Sequence, residues 1–222
     1  MLKPGASHAT PTEPKTPVTP PILNRYTTLP ILLDVLQKKH ITLLSPETWE
    51  DRNDAYYLER YQRARQLASV LAICFSPHRE TFHHWRIFSA GSPGVCIEFY
   101  KDRLLQKVAK RKGCRHQAVE YRWITDLNKS KPAPESWPFL KRKPFEDERE
   151  YWIIFARSAE NLRSTSIPID ISSIKHITLS PWLPSSIAST VIAAVKRVDG
   201  SANISVGPSS LLNNTEWGSL IT

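Results

Sequence analysis

Ser69-Val-Leu-Ala-Ile-Cys-Phe75 decides the fold class. The run holds no charge, is too short for a buried helix and is apolar at both odd and even positions. Such a segment is a central strand, covered on both faces. Upstream, the chain from Asp54 to about Ala68 is amphipathic and predicts a helix with Tyr57, Tyr61 and Ala64 on one face. Ser45 to Asp54 is a polar loop around Trp49, and Ile41–Leu44 is a strand. Before it, Thr28 is a candidate N-cap for a helix with Pro30 in its first turn and Leu29, Leu32, Leu33, Val35 and Leu36 as apolar positions. Ile22–Tyr26 is a short opening strand.

Downstream, Phe82–Ala90 predicts a short helix carrying His83, His84 and Trp85. Gly94–Phe99 is a strand followed by a basic helix to about Lys112, and Val119–Ile124 is another strand. Asp126–Pro144 is a long loop with one helical turn. Glu148–Phe155, Ile167–Ile169, Ile174–Leu179 and Asn203–Val206 are strands. Pro184–Val198 is a helix with Ile187, Val191, Ala194 and Val195 on one side. About eight strands and four or five helices, not strictly alternating, predict an α+β single domain with a central mixed or antiparallel sheet flanked by helices. The runs at Ser69–Phe75 and Gly94–Phe99 are expected to be neighbours in one sheet.

Composition sets the boundaries. Residues 1–21 carry six of the 18 prolines among polar residues and are expected to be a disordered, proline-rich tail, leaving 22–217 as the domain. The remainder is ordinary for a globular chain of 222 residues, 41% hydrophobic and 23% charged. No apolar run approaches the ~20 residues of a membrane span, and the N-terminus lacks the apolar stretch of a signal peptide. Three cysteines do not make a disulfide framework, so a cytoplasmic location is expected. Cys74 and Cys96 sit in apolar strands and read as inert core thiols, while Cys114 falls in a basic, exposed loop. No metal-ligand spacing is present, and adjacent His83 and His84 diverge by about 100° on a helix, which keeps them off one metal ion.

The formal charge is +9. Lys107, Lys110, Arg111, Lys112 and Arg115 form one basic cluster and Lys141, Arg142 and Lys143 another. Such clusters suit phosphates of a nucleic acid or a nucleotide, or are simply a solvated face. There is neither a P-loop nor GxGxxG, and seven glycines leave little room for a phosphate-cradling loop.

Three constellations could carry chemistry. Arg25-Tyr26-Thr27 ends the first strand, and Cys74-Phe-Ser76-Pro77 ends the central one. In Phe145-Glu-Asp-Glu148-Arg-Glu150-Tyr-Trp152 an extended backbone puts Glu148 and Glu150 on one face about 7 Å apart, where they repel unless cations or ligand hydroxyls meet them. Each has a plain alternative: an ordinary ion pair, a strand terminus with a backbone-bonded serine, or cross-strand pairing.

These segments, in order, resemble the bacterial domain-of-unknown-function 2971 family. Arg25-Tyr-Thr before a Leu-rich helix, Ile41-Thr-Leu-Leu-Ser-Pro46 and the Trp49/Asp51/Asn53-Asp54 loop carry the likeness first. Cys74-Phe-Ser-Pro77, His84-Trp85, Gly94–Phe99, Val119-Glu-Tyr121, Phe145-x-x-Glu148-x-Glu150-Tyr151 and Ser210-Leu-Leu212 continue it, over roughly Leu23 to Trp217. Two departures stand out: the Trp49–Asp54 loop is more charged than the family's Phe-Asn-Asp-Pro, and Trp152 stands where an Arg is usual. That family's layout is similar to ADP-ribosyltransferases, which implies a split-sheet fold and NAD as substrate. On this resemblance Arg25 would hold the NAD diphosphate or ribose, and Ser76 would brace the pocket. Trp85 or Tyr26 would stack on nicotinamide. Glu150 would bond the nicotinamide ribose 2′-OH, and Glu148 would orient a nucleic-acid or protein acceptor. The implied activity is transfer of ADP-ribose or release of nicotinamide, in a bacterial toxin or phage-defence setting. The alternative is a non-catalytic nucleic-acid-binding or protein-interaction module that uses the basic face.

Overall fold

A computed structural model describes residues 21–49, 51–89 and 91–220. The expected tail, apart from its last residue, lies outside the described residues.

Strand β1 (Ile22–Thr28) leads into helix α1 (Leu29–Lys38), with Pro30 in its first turn. Thr28 occupies the N-cap position, but its side chain makes no capping hydrogen bond. Then come β2 (His40–Leu44), α2 (Arg52–Ala64), β3 (Ser69–Phe75), α3 (Phe82–Phe88), β4 (Gly94–Tyr100) and α4 (Lys101–Ala109). The chain continues through β5 (Cys114–Ala118), β6 (Glu120–Arg122), α5 (Ile124–Lys129), β7 (Leu140–Arg142), β8 (Tyr151–Arg157), β9 (Ser164–Pro168) and β10 (Ile174–Leu179). It closes with α6 (Ser185–Lys196), β11 (Ser205–Pro208) and α7 (Thr215–Ser219). The architecture is α+β. Among the described residues no helix is long and apolar enough to cross a membrane.

The strands form a four-stranded sheet in the order β1-β4-β10-β11, an antiparallel five-stranded sheet in the order β5-β8-β3-β2-β9, and a parallel β6-β7 pair. In the four-stranded sheet β10 and β11 run parallel and the other pairs antiparallel. The two larger sheets touch through one bridge, where Asn24 and Ser76 exchange backbone hydrogen bonds of 2.7 and 2.8 Å.

β3 shows why its run is apolar throughout. Leu71, Ile73 and Phe75 enter the main core, shared with Leu23, Val95, Ile97 and Phe99 from the four-stranded sheet. Val70 and Ala72 enter a second core with Leu58, Tyr61, Trp152 and Ile154. Full burial of each Val, Leu, Ile or Phe side chain among them stabilises the fold by roughly 1.5–3 kcal/mol.

The expected adjacency of β3 and β4 is wrong. β3 is hydrogen-bonded to β8 and β2, and β4 to β1 and β10, so the two strands lie in different sheets and meet through the core. A doubly covered strand reads the same whether its apolar neighbour sits beside it or opposite it. Helix faces also move. α2 buries Asp54, Leu58 and Tyr61 rather than Tyr57 and Ala64, and α6 buries Ala188 and Val195 while Ile187 and Ala194 are exposed.

Cys114 lies on β5, half-buried against the main core, and burial pushes its thiol up to about 11. The expected strand beginning at Glu148 begins instead at Tyr151, after a 3-10 turn over Lys143–Glu148.

Candidate functional site

Arg25 lies in β1 near the point where the two sheets part. Its Nη1 donates to the Cys74 carbonyl at 3.0 Å, and among the described residues it forms no ion pair with a carboxylate. Burial lowers its pKa, opposed by the charge of nearby Glu150.

The segment Glu148-Arg149-Glu150 is clamped on several sides. Arg149 adopts a left-handed conformation, φ 43° and ψ 58°. His84 Nε2 bonds the Glu148 carbonyl at 2.9 Å and therefore donates, while its Nδ1 faces the Thr81 hydroxyl at 2.6 Å. Burial lowers the His84 pKa, consistent with a neutral ring. The Glu150 amide donates to Tyr121 Oη at 2.8 Å, and its carbonyl accepts from the Val119 amide at 2.9 Å.

Both carboxylates meet one ammonium. Lys141 Nζ lies 2.5 Å from Glu148 Oε2, 2.9 Å from Glu150 Oε2 and 2.9 Å from Asp54 Oδ2, all in the interior. The two glutamates therefore converge, though not as alternate residues of a strand: the left-handed Arg149 and Lys141 bring them together. Asp54 arrives from the first turn of α2, whose N-terminus is capped by Asp51 through the Asn53 amide at 2.8 Å.

Burial pushes Glu148 up to about 7, assisted by Glu150 and opposed by Lys141. Burial likewise pushes Asp54 up to about 6 against the pull of Lys141. For Lys141 burial favours the neutral form, but Glu150, Asp54 and Glu148 overcome it and raise its pKa.

Arg25, Cys74, Glu148, Glu150, Asp54 and Lys141 line one cavity of about 710 Å³, within the range of small-molecule sites. Trp49, Phe88, Phe145 and Trp152 supply its aromatic wall, and Asp51, Arg52 and Asn53 its rim. A small crevice beside it is lined by Arg25, Tyr26, Ser76 and Glu150.

No protein-family model matches the chain, and no curated protein matches it. Two solved structures of DarT from Thermus sp. 2.9 are similar to it. One is in complex with NAD+: it shares 11% identity, the match covers 89% of this chain and 98% of that one, and the TM-score is 0.45. The other is in complex with ADP-ribosylated ssDNA: it shares 10% identity, with 86% and 94% covered and a TM-score of 0.44.

Tyr26 and Trp85 are placed differently from expectation. Trp85 is fully buried, with Nε1 donating to Glu80 at 2.6 Å and its ring edge-on to Tyr26 at 5.2 Å. It lies in the core behind the site rather than on the cavity wall, because α3 turns its Trp85 face down onto the four-stranded sheet. Tyr26 reaches the crevice, but its ring is stacked against His84 at 5.5 Å. Ser76 also lines the crevice, and its backbone makes the bridge between the sheets.

The second basic cluster dissolves. Lys141 is buried while Arg142 is exposed. The first cluster is only partly free: Lys107 pairs with Asp170 at 2.9 Å, Arg115 bonds Tyr61 and the Glu135 carbonyl, and Arg111, though exposed like Lys110 and Lys112, donates to the Thr165 hydroxyl at 3.3 Å. Sequence reasoning missed Lys141, Asp54 and the aromatic wall. Asp54 did leave a signal, since it stands four and seven residues before Leu58 and Tyr61 on the buried face of α2.

Proposed function

We propose that this chain binds NAD+ in the cavity between β1, β3 and the Glu148–Glu150 turn, and that it cleaves the nicotinamide–ribose bond to release nicotinamide or transfer ADP-ribose. The observation that carries the reading is that Arg25 lines one cavity with Glu148 and Glu150, about 125 positions away in sequence. Nothing local in the chain requires this.

The charge distribution suits the substrate. Asp51, Asp54, Glu148 and Glu150 line the cavity with Arg25, Arg52 and Lys141; inside the Asp51–Arg52 rim three carboxyls stand against two cations, a balance that favours a cationic pyridinium ring. Arg25 offers the remaining donors of a guanidinium fork that fits diphosphate oxygens, and Arg52 stands on the rim. Trp49, Phe88 and Phe145, in place of Tyr26 and Trp85, offer the flat surfaces for nicotinamide, while the buried Trp152 backs Trp49 edge-on at 5.2 Å. As the C1′–N bond breaks, its electron pair leaves with neutral nicotinamide and positive charge builds on the ribose. A fixed carboxylate at Glu150 lowers that barrier. The same reading takes the ordered motifs as those of the bacterial domain-of-unknown-function 2971 family, in a toxin or phage-defence setting, with a nucleic acid or protein as acceptor.

Glu150→Gln keeps the shape and loses the charge. Nicotinamide release from NAD+ should fall at least 100-fold while circular dichroism and the melting profile stay native. Undiminished release would remove Glu150 from the reaction. Salt-dependent nucleic-acid binding without NAD+ binding, surviving the same substitution, would support instead the module that uses Lys110, Arg111 and Lys112.

A further inference from the structure

Lys141 sits where a merely solvated lysine has no reason to be. Its side chain is enclosed between β7, α2 and the Glu148–Glu150 turn, and its ammonium lies 5.0 Å from the centre of the Phe145 ring. An ammonium has three N–H donors, and here each has its own carboxylate: Glu148, Glu150 and Asp54. One carboxylate would neutralise it. Three leave a surplus of one buried negative charge even with Arg25 counted, which disfavours folding unless a proton or a ligand cation is shared among them. The surplus lies on the cavity wall, within reach of whatever the cavity holds.

We propose that Lys141 is a positioning residue for the reaction read above: by bonding Glu148 and Glu150 through one ammonium, it makes them a unit with a single mobile proton and leaves Glu148 to take that proton from the acceptor. This rests on the NAD-cleaving reading of the cavity. In the step itself the C1′–N bond breaks and neutral nicotinamide leaves with the electron pair. A lone pair of the acceptor, water included, forms the new bond to C1′. The acceptor's proton passes to the Glu148 carboxylate, so charge and atoms balance without a further reactant.

The groups facing Glu148 define its behaviour. Lys141 comes from β7, Asp54 from α2 and Tyr121 from β6; His84 from α3 holds the Glu148 carbonyl, and Glu150 follows two residues on. Lys141 favours the ionised form, whereas Glu150 and burial oppose it.

The test compares Lys141→Met and Lys141→Arg in the full chain. Two readouts are followed against pH: nicotinamide release from NAD+, and the ¹³C carboxyl signal of Glu148, assigned with Glu148→Gln, in protein without NAD+. In the wild type the rate should climb with pH through the same midpoint as the carboxyl signal. In Lys141→Met both midpoints should move up by at least one pH unit, because the ammonium favouring the carboxylate is gone, and Lys141→Arg should restore them. A folded Lys141→Met with unmoved midpoints would overturn the proposal and leave Lys141 a structural ion. If Lys141→Met does not fold, Lys141→Met/Asp54→Asn, which removes one charge of each sign, is compared with Asp54→Asn alone, and no shift there overturns it equally. A carboxyl shift in protein that neither binds nor cleaves NAD+ would support the coupled pair and sink the NAD reading.

Discussion

Glu148 keeps its carboxylate where burial disfavours the charge, and the pH dependence of folding follows from that. Its folded pKa, about 7, stands above the unfolded value, so the folded state holds a proton that the unfolded state gives up as pH rises from about 4.5 to 7. Glu148 therefore lowers stability across that window relative to a group that does not titrate. Glu148→Gln removes the titration. Its stability relative to wild type should become more favourable by about 3 kcal/mol between pH 4.5 and pH 8, as read by denaturant unfolding at each pH. A difference that is flat or falls with pH would show that Glu148 is ionised throughout. Arg25, Glu148 and Glu150 could be singled out from sequence because their order and residue types suggested chemistry. Lys141 could not, because Lys141-Arg-Lys143 has the composition of a solvated run and its burial depends on Asp54, 87 positions earlier. Composition counts a charge without saying what stands opposite it.

The element that brings the two glutamates together is a turn, and turns are where the sequence was least legible. β1, α1, β2, β3, β4 and β10 follow apolar periods of their own and could be read directly. β5 could not: Cys114-Arg-His-Gln-Ala118 has no apolar alternation and becomes a strand because β8 offers it an open edge. β7 is three residues beside β6, and the 3-10 turn after it ends in the left-handed Arg149. A side chain there is strained, which glycine is not. Arg149→Gly should therefore leave stability unchanged or raise it by up to about 1 kcal/mol, while Arg149→Val should lower it by more than about 1 kcal/mol. Thermal unfolding of the two variants checks this. Equal effects would mean that the turn does not depend on the left-handed residue, and that Lys141 alone gathers the glutamates.

Across the whole molecule, the site exists because two sheets part at the Asn24–Ser76 bridge, with Arg25 next to it on one sheet and the segment entering β8 on the other. The α+β class was legible from strands that do not alternate with helices. Which strands pair was not, because β3 and β4 bury equally well side by side or face to face. The cavity combines contributions from both sheets and from α2, so no single segment announces it. The most direct measurement is a crystal structure with a non-cleavable NAD+ analogue. The diphosphate should lie against Arg25, the nicotinamide ring among Trp49, Phe88 and Phe145, and the adjoining ribose hydroxyl on Glu150. An analogue bound elsewhere, for instance on the Lys110–Lys112 surface, or none bound at millimolar concentration, would contradict the NAD reading of the cavity.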